Sequence, residues 1–525
     1  MVVAAVTVIG VLLRLPSLGD SLFGDELSTY YTVAGHGLGR TVAVVRSDQE
    51  LTPPVYYVLA WAASRFGDSP DALRLPSLFA GVAAIPLTYL LGVRTVGRRA
   101  AVVGSGLMAA SPFLIFYSTE GRAYALMLVL GLLSTLALLR ALDGPQRRWW
   151  VAYAACSCAA LYTHYTVVFV LAAQFLWAFS TRPDVRRALL AANAAAALGF
   201  LPWVTQLLDD TRSPCADLIG GLQPFGLGAV RTDIGRWSIG HPYIALSSLP
   251  GEVALAMLVA GFAAAILGVV LRARTADAVL PSRPAAGVIL ILVLALAAPA
   301  GAALYSAIGT SVFTARNLVA SSPGFALAAG MLLTAGQGVL RATAVSLVVA
   351  AFGIGGVQMI YSRNQRPDYA AAARFIDHSG AAGDPVIEVP FPTPGPLTAT
   401  YVALHQAGRF ALADHPLFQL GSPSIATQLR ARTAGVGPCA SVFLPPTPAR
   451  TIASEASARP GAREVFLVTL GSLSLDALRK STGSPPGQLL AAFPPRYGHV
   501  GTRRFPGLGG LTLSVYVFRA RQPHA

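Results

Sequence analysis

The 525-residue sequence predicts an α-helical polytopic membrane protein, with about eleven spans and a C-terminal α/β domain on the extracytoplasmic side. Three observations predict it. Only 12% of residues are charged, where a soluble chain carries about 25%, and the mean hydropathy is +0.58. The apolar residues gather in runs of roughly 17–25, the length that crosses about 30 Å of hydrocarbon. Near residue 360 the character changes, and the remaining chain is polar, rich in Pro and Gly, and without a spanning run.

The spans read as 1–17, 73–92, 100–117, 123–140, 149–163, 166–180, 188–207, 251–271, 286–306, 318–336 and 340–360. The fifth and sixth are short and joined through Tyr162-Thr163-His164-Tyr165. The first begins at Met1 with neither the basic stretch nor the cleavage site of a secretory signal, which reads as a start placed a few residues late. The formal net charge of +15 would suggest nucleic acid in a soluble protein. Here the basic residues are nearly all Arg and collect in alternate short loops: Arg94, Arg98 and Arg99; Arg140, Arg147 and Arg148; Arg182, Arg186 and Arg187; Arg272, Arg274 and Arg283; Arg341. The intervening loops hold little more than Arg122, His164 and Arg316. By the positive-inside rule the Arg-rich loops are cytoplasmic. The N-terminus is then cytoplasmic, and the 18–72 loop, the 208–250 loop and the tail from Tyr361 lie outside an inner (plasma) membrane. This gives a transmembrane domain over 1–360, which includes the first outer loop 18–72, and an extracytoplasmic domain over 361–525.

In the tail, Asp368 to His378 has the apolar spacing of an amphipathic helix, with Ala372, Phe375 and Ile376 on one face. The Gly380–Asp384 turn leads to a strand at Val386–Val389, and further strands are expected at Glu464–Leu470 and Leu511–Phe518. Four cysteines are too few for a disulfide scaffold. Cys156 and Cys158 fall in an apolar run as packing residues. Cys215 and Cys439 both fall outside, where they can pair.

The first outer loop carries the densest chemistry. Asp25 and Glu26 follow the first span directly, within Phe23-Gly24-Asp25-Glu26-Leu27. One carboxylate can serve as a general base and the other as an orienting or metal-binding partner. Equally, an acidic pair can do no more than open an interfacial helix. Farther along, Asp48 and Glu50 precede Pro53-Pro54-Val55-Tyr56-Tyr57, the start of a helix with interfacial aromatics. Either of these acids can join Asp25, or the segment can be a plain surface anchor. The second outer turn, Tyr117-Ser118-Thr119-Glu120-Gly121-Arg122-Ala123-Tyr124, sets Glu120 and Arg122 at a membrane boundary, where they must pair or face water. Arg122 can hold a phosphate by a bidentate contact or pair locally with Glu120. Arg316 can do the same or snorkel. His164 and Tyr165 either line a polar cavity or belong to an aromatic belt.

No Walker loop, dinucleotide-binding fingerprint, Cys-x-x-Cys or convincing metal cluster occurs in the sequence. That pattern speaks against ATP-driven transport and against a nucleotide-sugar donor. Carboxylates and arginines on the outer side call for a donor available there. An isoprenoid-phosphate sugar meets that need, because its tail partitions into the bilayer and its phosphate wants Arg or a cation.

Taken in order, these segments resemble the GT-C superfamily. Within it they are closest in pattern to family-39-like enzymes, the protein O-mannosyltransferases, lipid A aminoarabinose transferases and their bacterial relatives, here of an actinobacterial type. The residues that carry the resemblance are Asp25-Glu26, Pro53-Pro54-Val55-Tyr56-Tyr57, Leu73-Arg74-Leu75-Pro76-Ser77, Tyr117 to Tyr124, Thr163-His164-Tyr165, and Arg316 followed by Pro323. It covers roughly the first 360 residues and is strongest over 14–170. No single motif is specific, but their order and their fit to the spans are.

The resemblance implies a glycosyltransferase that uses a polyprenyl-phosphate sugar, of the mannose or arabinose class. Its acceptor would be a hydroxyl on a cell-envelope glycan, lipid or protein. Asp25 would be the base, with Glu26 orienting it or sharing a divalent cation such as Mg or Mn. Arg122 and Arg316 would hold the donor phosphate, while Asp48, Glu50, Tyr56, Glu120, His164 and Tyr165 would line the cavity. One departure stands out. Relatives often place an acid or amide directly before the Pro pair, whereas Leu51 and Thr52 stand there in this chain. Two other classes compete: a flippase of lipid-linked sugars, for which internal repeats and broken mid-membrane helices are expected, and a non-catalytic envelope scaffold.

Overall fold

A computed structural model describes residues 1–47, 50–67, 69–144, 146–275, 286–389, 400, 403, 415–420, 447–471, 474–481 and 483–521. The chain forms two compact units. The first comprises Met1–Leu18, Thr52–Ala63 and Arg74–Ile360; the second comprises Gly19–Leu51, Ser64–Leu73 and Tyr361–Ala525.

The first unit is a helical bundle, and the chain is a multi-pass membrane protein. Among the described residues, seven helices are long and apolar enough to cross a membrane: Pro70–Thr95, Tyr124–Leu142, Pro183–Arg212, Ser247–Arg274, Ala286–Ile308, Ala315–Ala335 and Gly338–Gln358. An eighth is a broken pair, Arg98–Ala110 and Pro112–Ser118, bent by 62°. Val2–Ser17 and Tyr165–Thr181 are shorter apolar helices, and Arg147–Leu161 is a 15-residue helix that opens on two arginines and two tryptophans. Each of the eleven apolar runs is therefore helical, but only seven or eight reach spanning length.

The breaks have local causes. Pro112 has no N–H to donate and holds Ser111 extended at ψ 120°. The Ser111 hydroxyl then caps the new helix by accepting from the Leu114 N–H. The new helix ends at Ser118, which delivers Glu120 and Arg122 to the following turn. At the other short junction His164 is extended (φ −162°, ψ 130°), and its Nδ1 accepts from the Thr166 N–H. Small residues let the helices close. A Cβ at Gly330 would lie 2.5 Å from the Ala100 carbonyl oxygen, which is the close backbone approach that membrane helices use in place of hydrophobic driving force. Arg14 is fully buried at the end of the first helix, and its guanidinium donates to the carbonyls of Gly10, Ala109 and Met108. With Tyr117 and Ser118 it lines a small cavity. Cys156 and Cys158 are free thiols. Cys215 is disulfide-bonded; Cys439, the partner suggested by the sequence, lies outside the described residues.

The second unit is built on a five-stranded sheet: β1 Val386–Val389, β2 Leu417–Gln419, β3 Glu464–Gly471, β4 Tyr497–Gly507 and β5 Leu511–Ala520, in the order β2-β1-β3-β5-β4. β1 runs parallel to β2 and β3, whereas β5 is antiparallel to β3 and β4. Its apolar core gathers Ile387, Phe418, Leu467, Tyr516 and Phe518 from the strands, with Ile452, Ala453 and Leu489 from covering helices. Helix Tyr369–Ser379 and strands β1, β3 and β5 lie where the sequence places them. β4 does not show in the sequence, because Gly498, Gly501 and the Arg503-Arg504 pair break the period-2 alternation of a half-buried strand. The Gly-Asp turn has a clear purpose. The Asp384 carboxylate accepts N–H groups from Ala381, Arg463 and Glu464, which fastens the start of β1 to the start of β3.

Candidate active site

In the second unit, Gly24 takes a left-handed conformation (φ 61°) that glycine adopts without strain. It turns the chain into helix Glu26–Val33. Asp25 holds the N-cap place but makes no side-chain cap bond there, and it is partly exposed. Its neighbour Glu26 is fully buried. Glu26 Oε2 lies 3.1 Å from Arg366 Nε and accepts the Phe23 N–H at 3.4 Å. The two adjacent carboxylates thus differ in burial, Glu26 fully enclosed beside Arg366 and Asp25 partly exposed.

The rest of the segment follows the same line. The Arg366 N–H donates to Asp20 Oδ2 at 3.2 Å, and Arg366 Nη1 stands 3.8 Å from the same oxygen. The Ala370 N–H donates to Ser21 Oγ at 2.9 Å, and the Phe23 and Tyr369 rings stack with centroids 6.4 Å apart. Burial, and then the Glu388 carboxylate, push the Tyr369 phenol well above its ordinary value, so it stays protonated. Glu50 is buried and accepts from Ser28 Oγ at 2.9 Å. Ser28 follows Asp25 by three residues, a spacing that shares one helix face. Asp48 lies outside the described residues.

In the first unit, Arg122 is buried at the start of helix Tyr124–Leu142. Its Nη1 donates to Tyr57 Oη at 2.7 Å and its Nη2 to Thr52 Oγ1 at 3.3 Å. Its carbonyl accepts from Ser77 Oγ at 3.0 Å, and that hydroxyl pairs with Tyr56 Oη at 2.9 Å. Tyr56 and Tyr57 are wholly buried and meet edge to face. The Pro-Pro-x-Tyr-Tyr segment and the Glu120–Arg122 turn therefore form one polar cluster. Glu120 is buried, and Tyr117 lies within electrostatic reach of both Glu120 and Arg316. Tyr124 bridges onward, with ring centroids 4.9 Å from Tyr117 and 5.3 Å from His164. Tyr165 goes elsewhere: its hydroxyl donates to Asp210 Oδ2 at 2.5 Å and accepts from Trp203 Nε1 at 3.0 Å.

Several partners are invisible to motif reasoning. Arg366 and Asp20 are among them, together with Asp233. Asp233 is buried in helix Leu227–Ile239, hydrogen-bonded by Ala315 and within reach of Arg316. No spacing links such residues. As for a divalent cation, no group of three His, Cys, Asp or Glu side chains comes together among the described residues. Glu26 faces the Arg366 guanidinium, which competes with a cation for that carboxylate.

A family model described as dolichyl-phosphate-mannose-protein mannosyltransferase matches residues 51–206. That stretch contains Tyr56, Glu120, Arg122, His164 and Tyr165, but neither Asp25 and Glu26 nor Arg316. Among solved structures the chain is similar to ArnT from Cupriavidus metallidurans bound to undecaprenyl phosphate. The two are 14% identical with a TM-score of 0.53, over 98% of this chain and 97% of that one. It is also matched to the archaeal oligosaccharyltransferase AglB from Archaeoglobus fulgidus in complex with an inhibitory peptide and a dolichol-phosphate. There the identity is 14% and the TM-score 0.49, over 89% of this chain and 69% of that one. No curated protein sequence matches the chain. Identity this low speaks to fold alone. At that level the chain has the GT-C-like architecture that its motif order suggested, a helical membrane domain with a C-terminal α/β domain.

Proposed function

We propose that the chain is a membrane glycosyltransferase that moves a sugar of the mannose or arabinose class from a polyprenyl-phosphate donor to an acceptor hydroxyl outside the cell. The reading keeps the topology argued from arginine placement, with the N-terminus cytoplasmic, the α/β domain over 361–525 extracytoplasmic and the protein in the plasma membrane. The observation that carries it is the separation of the Asp25–Glu26 pair. Glu26 is consumed by an ion pair, whereas Asp25 stands partly exposed at a helix start. That is the division expected of one structural carboxylate and one proton acceptor.

In this reading Asp25 takes the proton from the acceptor hydroxyl. The hydroxyl oxygen bonds to the anomeric carbon from the face opposite the phosphate, the carbon–oxygen bond to phosphate breaks, and polyprenyl phosphate departs with inversion at the sugar. Arg122 and Arg316 stabilise the charge that develops on that phosphate. Tyr57 and Thr52 hold the Arg122 fork in place. Glu50, Tyr56, Glu120 and His164 line the cavity, Asp48 is assigned there with them, and Tyr165 supports its wall. Support comes from the family model over 51–206 and from the fold shared with a structure bound to undecaprenyl phosphate.

The test is transfer of radiolabelled sugar from polyprenyl-phosphate mannose or arabinose in membranes holding wild type or Asp25→Asn. Transfer should be lost in the variant at equal membrane expression. Full activity in Asp25→Asn would remove the base, and movement of intact donor without transfer would favour a flippase. Chelation tests the divalent cation: a collapse restored by Mg²⁺ or Mn²⁺ would give Glu26 the role of cation ligand, and transfer that survives would leave it to Arg366.

A further inference from the structure

We infer that Arg366, supplied by the segment that leads into the C-terminal sheet, is the positioning residue for the Asp25 carboxylate. The inference rests on the transferase reading above.

Glu26 is fully buried, and a buried lone carboxylate is costly unless it is paired. Arg366 supplies the pair through Nε at 3.1 Å. The same residue holds the other end of the 20–26 segment, because its N–H donates to Asp20 and its Nη1 lies 3.8 Å from that carboxylate. Ser21 and Phe23 are fixed between these ends by Ala370 and Tyr369. Asp25 therefore sits in a short stretch bound on both sides. Only Gly24 within it has a left-handed backbone.

Arg366 is itself braced. The Leu508 N–H donates to the Gln365 carbonyl at 2.9 Å, and a Cβ at Gly507 would lie 2.7 Å from Pro367 Cα. Gly507 ends β4, and Leu508 opens the turn that leads to β5. A line of rigid contacts thus runs from the sheet through Arg366 to Glu26, and by one peptide bond to Asp25. A general base must be held to within a fraction of an ångström of its proton to be effective, and this line supplies the restraint without touching substrate.

The test uses full-length protein in lipid nanodiscs. Arg366→Gln is expected to lower kcat by about ten-fold or more while the donor KM stays within about two-fold. Arg366→Lys should recover most of the loss, since it restores the charge though not the fork. The double variant Arg366→Gln/Glu26→Gln removes both charges of the buried pair and leaves only the Asp20 carboxylate behind, so it should regain most of the lost thermal transition but not kcat. Hydrogen exchange of the amides in Glu26–Val33 should quicken by about ten-fold in Arg366→Gln, with β5 unchanged. Wild-type kcat in either Gln variant, or unchanged exchange in Glu26–Val33, would overturn the inference. If wild-type protein transfers no sugar from any polyprenyl-phosphate donor, the transferase reading falls, and the exchange result still decides whether Arg366 anchors the segment.

Discussion

Arg122 Nη1 donates to Tyr57 Oη at 2.7 Å, which joins the Glu120–Arg122 turn to the Pro-Pro-x-Tyr-Tyr helix through one buried hydrogen bond. A guanidinium so oriented keeps a fixed plane. Arg122→Lys is therefore expected to be nearly as damaging as Arg122→Ala, with kcat/KM reduced by about a hundred-fold in both, because an ammonium cannot reproduce the fork. Tyr57→Phe, which removes one partner and keeps the charge, should cost about ten-fold. Transfer assays over a range of donor concentration check the order of the three.

Tyr165 donates to Asp210 and accepts from Trp203, so its hydroxyl is spent within its own corner of the bundle. Tyr165→Phe should destabilise by about 1–3 kcal/mol through an unsatisfied buried acceptor, and leave kcat within about three-fold of wild type. Thermal unfolding in detergent and the transfer assay, measured on one preparation, separate these effects. A loss of kcat with unchanged stability would move Tyr165 into the reacting site.

Burial raises the Asp233 carboxyl above its ordinary value, against the pull of Arg236 and Arg316. A carboxyl raised in the folded state stabilises the fold while protonated. That contribution is complete below its ordinary value of about 3.9 and is lost as pH climbs through the raised one. From about pH 4 upward the wild-type thermal transition should therefore fall more steeply than that of Asp233→Asn. Parallel curves for the two proteins would contradict the assignment.

At Gly330 an added Cβ would lie 2.5 Å from the Ala100 carbonyl oxygen and 3.1 Å from the Gly104 nitrogen. Backbone atoms yield less readily than side-chain ends, so Gly330→Ala should cost about 1–3 kcal/mol. A lowered thermal transition with donor KM unchanged is the expected pattern.

Hydropathy and arginine placement made the membrane domain legible, because the cost of an unsatisfied backbone in lipid leaves helices as the answer for each long apolar run. The weakest readings are the short runs near Arg147 and Tyr165, where charges and a Thr-His break cut the helices below spanning length. In the sheet, β1, β3 and β5 announce themselves by apolar β-branched runs, whereas β4 owes its pairing to β5 rather than to its own residues. Asp25 and Glu26 could be picked out as a pair, but nothing in their spacing says which one is buried. That depends on an arginine brought in from 340 positions away by tertiary contacts alone. For the same reason hydropathy cannot tell that Gly19–Leu51 groups with the C-terminal unit.

The bond from Arg366 to Asp20 joins positions 346 residues apart. A ribosome releases the Asp25 segment early and the arginine only after the last long apolar helix has been made. Throughout that interval the acidic segment is synthesised and delivered without its clamp. The protein thus carries a built-in order of assembly, in which the Asp25 segment is set in place only when the final third of the chain arrives. A truncated or stalled product would hold every long apolar helix and still lack the arginine that fastens this segment.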